Sequence, residues 1–186
     1  MATLNENGFL QQPVDYKQLL FYKKATILYD MTYWYQAHYL FPGDRTKDQM
    51  EQAARSGKQN VVEGTVDGMT SMEMEIKLLN TARGSLSELM EDYEDQLRSR
   101  RLELWTKGHP RYEKMVQYCY RHHELKYYQP YYERWTIEEF CNVALTLIHQ
   151  ADRGLLTYLK SVESTFLKEG GLKEKMSAAR RNVRGY

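Results

Sequence analysis

The chain has 186 residues, enough for one domain with a substantial core and some appended structure. Its 42% hydrophobic and 27% charged residues, with 4 prolines and 11 glycines, fit a charged helical domain better than a sandwich or a disordered chain. No apolar run approaches the roughly 20 residues that cross a bilayer, which argues against a membrane protein.

Residues 1–12 are polar and carry neither a basic start nor an apolar signal core. Cys119 and Cys141 have no framework spacing, so reduced thiols and a cytoplasmic setting are expected. The net charge of +1 hides an asymmetry. Residues 172–186 hold Lys173, Lys175, Arg180, Arg181 and Arg184 against Glu174, leaving 21 basic and 24 acidic residues elsewhere. A basic tail on a mildly acidic body suits an anionic partner, although short basic tails also serve solubility.

The first helical pattern covers residues 16–40, with Leu20, Lys24, Ile27, Met31 and Trp34 on one face and Leu28 and Tyr35 widening it. Phe41-Pro42-Gly43-Asp44 breaks it, and Asp44 or Thr46 can cap the next helix. This second helix, over 46–63, has an inner stripe of mostly small residues: Met50, Ala53, Ala54, Gly57, Val61 and Gly64. Two glycines inside a helix cost about 1 kcal/mol each relative to alanine. Close approach of another helix, within the chain or from another subunit, would offset that cost. Gly64 and Gly68 then bracket the exit turn.

A third helix starts at Thr70 or Ser71 and is expected to reach 105, with a seam of Met72, Ile76, Leu79, Arg83, Leu86, Met90, Tyr93 and Leu97. The fourth long helix covers 137–167. A Thr136–Glu139 capping box opens it, Phe140, Ala144, Leu147, Ala151, Leu155, Tyr158 and Val162 form its inner face, and Gly170-Gly171 closes it.

Between the third and fourth helices lies an excursion over 107–135. It contains a Lys107-Gly108-His109-Pro110 break, a short helix over 111–122 and an aromatic-rich loop over 124–135. Counting back from Gly68, the third helix overhangs the others beyond Tyr93, and the excursion is expected to pack on that overhang. No repeat of 20–50 residues is visible. The expected fold is all-α: an antiparallel up-down-up-down four-helix bundle over 1–171, with the excursion inserted, followed by the basic tail 172–186.

No Glu-x-x-His pair of the kind that builds metal sites in bundles is present. Cys119 with His122 and His123 is the nearest approach to a metal cluster, short of the four ligands a structural zinc takes. Phosphate loops and nucleophile elbows are also lacking. The expectation is therefore a non-enzymatic protein with no catalytic, cofactor-binding or metal residues.

Polar residues on the inner faces are the next irregularity. Counting from the turns places Lys24 level with Glu63, near Asn60 and Thr26, and Arg83 level with Glu51 and Gln52. Lys24, Glu51, Asn60, Glu63 and Arg83 are read as a polar core of pairs that fix helix register, with an anion site as the other reading.

The excursion interleaves Tyr118, Tyr120, Tyr127, Tyr128, Tyr131, Tyr132 and Trp135 with Arg121, Lys126 and Arg134. Aromatic faces stack on unpaired bases while cations hold phosphates. The same tyrosines can instead pack the excursion onto the bundle with their hydroxyls in water. Under the first reading the nucleic-acid candidates are Arg98, Arg100, Arg101, Arg121, Lys126, Tyr127, Tyr128 and Arg134. The tail adds Lys173, Lys175, Arg180, Arg181 and Arg184.

Two strings carry a resemblance. Ala53-Ala54-Arg55-Ser56-Gly57-Lys58-Gln59-Asn60-Val61-Val62-Glu63-Gly64, a small-residue helix ending in Asn-x-x-Glu-Gly, is similar to the signature helix of a bacterial four-helix-bundle family. Leu-Leu-Asn-Thr-Ala-Arg-Gly-Ser-Leu-Ser-Glu-Leu over 78–89 resembles that family's next helix. The family includes proteins encoded in intervening sequences of 23S ribosomal RNA genes and is related to the Avd accessory proteins of diversity-generating retroelements. The likeness covers about 16–94 and 137–162, and the longer chain resembles the branch carrying a four-helix-bundle suffix domain.

The resemblance implies a homo-oligomer, pentameric in the family, with basic surfaces directed at RNA or DNA, or an accessory role beside a reverse transcriptase. This chain departs from the pattern in being nearly neutral, which concentrates the nucleic-acid expectation on the excursion and tail. The implied function is a non-enzymatic binding or accessory protein that contacts nucleic acid or a ribonucleoprotein such as a reverse transcriptase–RNA complex. The alternative is a protein-directed scaffold whose small-residue helix and tyrosines build subunit interfaces.

Overall fold

The computed structural model describes residues 14–184, and these are helical with no strands. The polar residues 1–12 lie outside the described residues. In chain order the helices are α1 (Leu20–Tyr39), α2 (Arg45–Asp67), α3 (Met72–Ser99), α4 (Tyr112–Arg121), α5 (Ile137–Glu169) and α6 (Leu172–Arg184). Short 3-10 turns occupy Tyr16–Gln18, Leu125–Tyr127 and Gln129–Tyr131. Helices α1 and α3 each pack against both α2 and α5, while α4 packs on α5. No helix among the described residues is long and apolar enough to cross a membrane.

The starts of the long helices follow the capping chemistry. The Asp44 carboxylate accepts from the Thr46 amide at 2.9 Å, and the Ser71 hydroxyl accepts from the Met74 amide at 3.2 Å. At α5 the Thr136 amide donates to Glu139 at 2.9 Å, and the Glu139 amide returns to the Thr136 hydroxyl at 3.2 Å. Gly170, at φ +73°, ends α5.

Two ends differ from the sequence reading. Helix α2 continues through Gly64 to Asp67, because Gly64 faces α3 instead of making a turn. Helix α3 stops at Ser99, short of 105. There the Arg101 amide donates to the Arg98 carbonyl and the Leu102 amide to the Leu97 carbonyl, a Schellman ending. Its left-handed position belongs to Arg101 at φ +58°, where glycine is usual. The sequence therefore carries no stop signal at that point.

The small-residue stripe of α2 is buried as read. A Cβ on Gly57 would lie 3.2 Å from Leu86 Cδ2, and one on Gly64 would lie 3.1 Å from Leu79 Cδ2. The close neighbour is thus α3 of the same chain. The α1 face is also as read, except that Leu20 is exposed and Trp34 half-buried, while Phe21, Ala25, Thr32 and Gln36 join the interior.

The α3 seam is different. Met72, Leu79, Leu86, Tyr93 and Leu97 are buried, but Ile76, Arg83 and Met90 are only half-buried. Glu75, Ala82, Leu89 and Gln96 take the alternate inner positions, one residue earlier. Reading by hydrophobicity and size favours the larger side chains one place along. The true seam includes a carboxyl and an amide, each with a partner: Tyr158 donates to Glu75 at 2.8 Å and Tyr35 donates to Gln96 at 3.2 Å.

The expected polar pairs are not formed. Lys24 donates to the Cys119 carbonyl of α4 at 2.8 Å, and Glu63 is exposed, accepting from Gln59 one turn earlier. Asn60 bonds Ser56 on its own helix. Arg83 pairs with Asp152 of α5 at 2.6 Å, while Glu51 accepts from Gln36 of α1 at 2.5 Å. Counting from turns gives a level along the axis but not a face. The extra turn of α2 also shifts that level by about 5 Å.

These glycine and cap geometries set two stability outcomes. Gly84 of α3 has open space around its Cβ position, so Gly84→Ala gains about 0.5–1 kcal/mol of helix propensity in urea unfolding. Gly64→Ala gains nothing, because Leu79 must give way. Arg101→Gly relieves the left-handed residue and stabilises by about 1 kcal/mol; a loss would show that the Arg101 side chain outweighs its backbone cost.

Candidate nucleic-acid interface

The excursion is built on α5. The connection leaving α3 is tied down by α5 side chains: the Trp105 amide donates to Asn142 at 2.7 Å, and Asn142 donates to the Glu103 carbonyl at 2.9 Å. Glu138 accepts from the Trp105 indole at 3.0 Å and from the Glu103 amide at 3.0 Å. These donors hold the Glu138 carboxyl below its ordinary pKa. Helix α4 then lays Met115 and Cys119, one turn apart, onto α5.

Farther on, Tyr128 and Tyr132 turn inward. Tyr128 is 0% exposed and donates to the His122 carbonyl at 2.9 Å. Tyr132, Trp34 and Trp135 surround Phe140, with ring centroids 5.4, 5.4 and 5.8 Å from it. Packing has therefore claimed part of the aromatic set. The excursion rests on α5 and α1, not on an overhang of α3, which ends too early to provide one.

An open cleft remains between α4, the end of the excursion and the first turns of α5, with a volume of about 460 Å³. Trp105, Met115, Tyr118, Tyr131, Trp135 and Val143 line it, and Arg111, Lys114 and Glu139 bring charge to it. Tyr131 and Trp135 stack at 5.6 Å with 14° between their planes. The Arg111 guanidinium lies 5.4 Å from the Trp105 ring centroid and donates to Glu139 at 2.8 Å. The Tyr118 hydroxyl is committed to the Tyr127 carbonyl at 2.6 Å, and burial first of all pushes its pKa up to about 12.

The sequence candidates fall into three groups. Arg121 and Arg134 are exposed, and Tyr127 is at the surface beside Lys126, whose ammonium pairs with Glu124 at 2.7 Å. Arg98 is exposed but paired with Asp95 at 2.6 Å, and Arg101 is exposed at the end of α3. Arg100 is half-buried and donates to the Gln96 side chain and the Tyr39 carbonyl, so it serves the fold. Tyr128 is a correction: a ring with no exposure cannot stack on a base.

The tail is helix α6. Lys173, Arg180, Arg181 and Arg184 are exposed, and Lys175 pairs with Glu169 at 2.7 Å. The excursion precedes α5 and α6 follows it. With 33 residues in α5, the end of the excursion and the start of α6 lie about 50 Å apart.

Sequence reading missed Trp105, Arg111, Lys114 and Glu139. A signal existed: Arg111, Lys114 and Tyr118 follow i, i+3, i+7 spacing and share one face of the short helix.

Cys119 and Cys141 are buried, unpaired thiols, each pushed up to about 12 mainly by burial. Among the described residues no group of three His, Cys, Asp or Glu side chains is placed to hold a metal ion.

Lys24 binds α1 to α4, and burial draws its pKa down from 10.5 to about 8. Between those values the unfolded chain binds the extra proton, so the contribution of Lys24 to stability rises as pH climbs through that window. Cys119, whose pKa is raised, acts in the opposite sense above its ordinary value. Comparing wild type with Lys24→Met in urea unfolding isolates the lysine. The variant's stability relative to wild type should fall steadily between about pH 8 and 10.5; a constant difference would contradict a buried, depressed Lys24.

No family model matches the chain, and neither the curated proteins nor the solved structures give a match.

Proposed function

We propose that this chain is a non-enzymatic, oligomeric binding or accessory protein that contacts nucleic acid or a ribonucleoprotein such as a reverse transcriptase–RNA complex. In this reading its four long helices form an antiparallel up-down-up-down bundle. It belongs with the ribosomal-intervening-sequence and Avd-like proteins, assembles as a homo-oligomeric ring and works in the cytoplasm.

The observation that carries the reading is the exposed face of α6. Lys173, Arg180 and Arg184, at i, i+7 and i+11, share one face, and Arg181 stands beside it. None of the four is in an ion pair among the described residues. A row of unpaired cations on a helix is the electrostatic footprint of a polyanion partner. The excursion adds six basic against three acidic residues over 107–135. The scaffold alternative draws on the small-residue face of α2 and on the tyrosines for subunit contacts; α3 already covers the first, which leaves it the exposed tyrosines alone.

The test is a titration of labelled single-stranded and structured RNA across salt concentrations. Affinity should fall with salt, and replacing Arg180, Arg181 and Arg184 together by Ala should reduce the single-strand log–log slope by about 2, at roughly 0.7 per lost phosphate contact. Binding absent at low salt, or indifferent to salt, contradicts the reading. Light scattering should give a mass several times the 22.2 kDa of one chain; a strict monomer contradicts the ring.

A further inference from the structure

We propose that the cleft between α4 and the start of α5 receives one unpaired base of a single nucleic-acid strand, with Arg111 and Lys114 at the neighbouring phosphates. The assignment rests on the reading of this chain as a nucleic-acid contact protein and gives that contact a form.

The walls favour a flat aromatic occupant. Tyr118, Tyr131 and Trp135 present ring surface to about 460 Å³ of open space beside the buried Trp105, within the range of small-molecule sites. Tyr131 remains 39% exposed at the mouth although it already stacks on Trp135. A base entering there extends an existing stack and gains contact on its π-face.

The charge complements a phosphate. Lys114 is exposed. Arg111 gives Nη1 to Glu139 and keeps other N–H donors of its planar fork. Arg111 is the N-cap residue of α4 and Lys114 lies in its first turn.

Two features choose a strand over a free nucleotide. Exposed Tyr127 and Arg121, with Lys126 held beside Tyr127 by Glu124, continue the aromatic and basic character beyond Tyr118, giving successive nucleotides something to follow. Two polar groups that could read a base edge are occupied, the Tyr118 hydroxyl by Tyr127 and the Glu139 carboxylate by Thr136 and Arg111, and the free donors of Arg111 and Lys114 are assigned to phosphates. The cleft therefore recognises the face of a base and not its identity. A duplex, whose bases are already stacked, offers it nothing.

The experiment uses the full chain with three probes: a short single-stranded RNA of mixed sequence, the same sequence as a blunt duplex, and free AMP. The single strand should bind about ten-fold more tightly than the duplex and quench tryptophan fluorescence. Lys114→Glu and Tyr131→Ala should each weaken the single strand by about ten-fold relative to the duplex. Lys114 is exposed, so Lys114→Glu keeps the test decisive if Tyr131→Ala fails to fold. Equal affinity for strand and duplex, unchanged by Lys114→Glu, overturns the cleft assignment and leaves contact through α6 standing. AMP binding as tightly as the strand overturns the choice of a strand. Failure of every RNA to bind overturns both the cleft and the proposed function.

Discussion

Residues 140–148 of α5 are buried without a break, and a helix closed on all sides has no face to give to water. Helices α1 and α3 cover one side of it, so something else must cover the other. The connection leaving α3 and the excursion do so, the first with Trp105 and the second with Met115, Cys119, Tyr128 and Tyr132. The two polar side chains within the stretch are satisfied: Asn142 bridges the Trp105 amide and the Glu103 carbonyl, and Thr146 donates to the Asn142 carbonyl at 2.9 Å. The excursion is thus a wall of the core, and its position is set by the demand of α5 for enclosure.

That constraint sorts the aromatic residues. Those facing α5 are consumed in packing; the Tyr128 hydroxyl closes a loop of the excursion on the His122 carbonyl, while the buried Tyr132 hydroxyl has no partner among the described residues. Those on the far side of the wall remain available, and the cleft lies where the wall meets the start of α5. The same wall explains the buried lysine. Lys24 lies under the end of α4 and satisfies a helix carbonyl there in place of water. Exposed aromatic and cationic side chains and core packing are two faces of one segment, while α6 carries a separate set of exposed cations after the end of α5.

Much of the helical content is legible in the sequence where a local rule applies. Asp44, Ser71 and the Thr136–Glu139 box mark helix starts because a cap is a contact between near neighbours. The buried stripe of α2 is legible because small residues aligned on one face of a helix signal a closely packed neighbour. The end of α3 is hidden because Arg101 holds a conformation that glycine usually signals. The alternate seam of α3 lies one residue from its expected place because Glu75 and Gln96 look like surface residues until Tyr158 and Tyr35 are seen to satisfy them. Pairing across helices needs rotation as well as height, so Lys24 and Arg83 find carbonyl and carboxylate partners that no count along the chain could supply. In the cleft, the tyrosines and cations are visible as a composition. Which of them face inward depends on the packing surface of α5, which begins only after the excursion has ended.

Native-state amide hydrogen exchange tests the claim that the excursion is part of the core most directly. If α5 requires this cover, the amides of Tyr112–Arg121 and of residues 140–148 should open together, with one free energy equal to that of global unfolding. Exchange of the α4 amides through a much smaller opening, with α5 still fully protected, would contradict it: the excursion would then be an appendage that the core can do without.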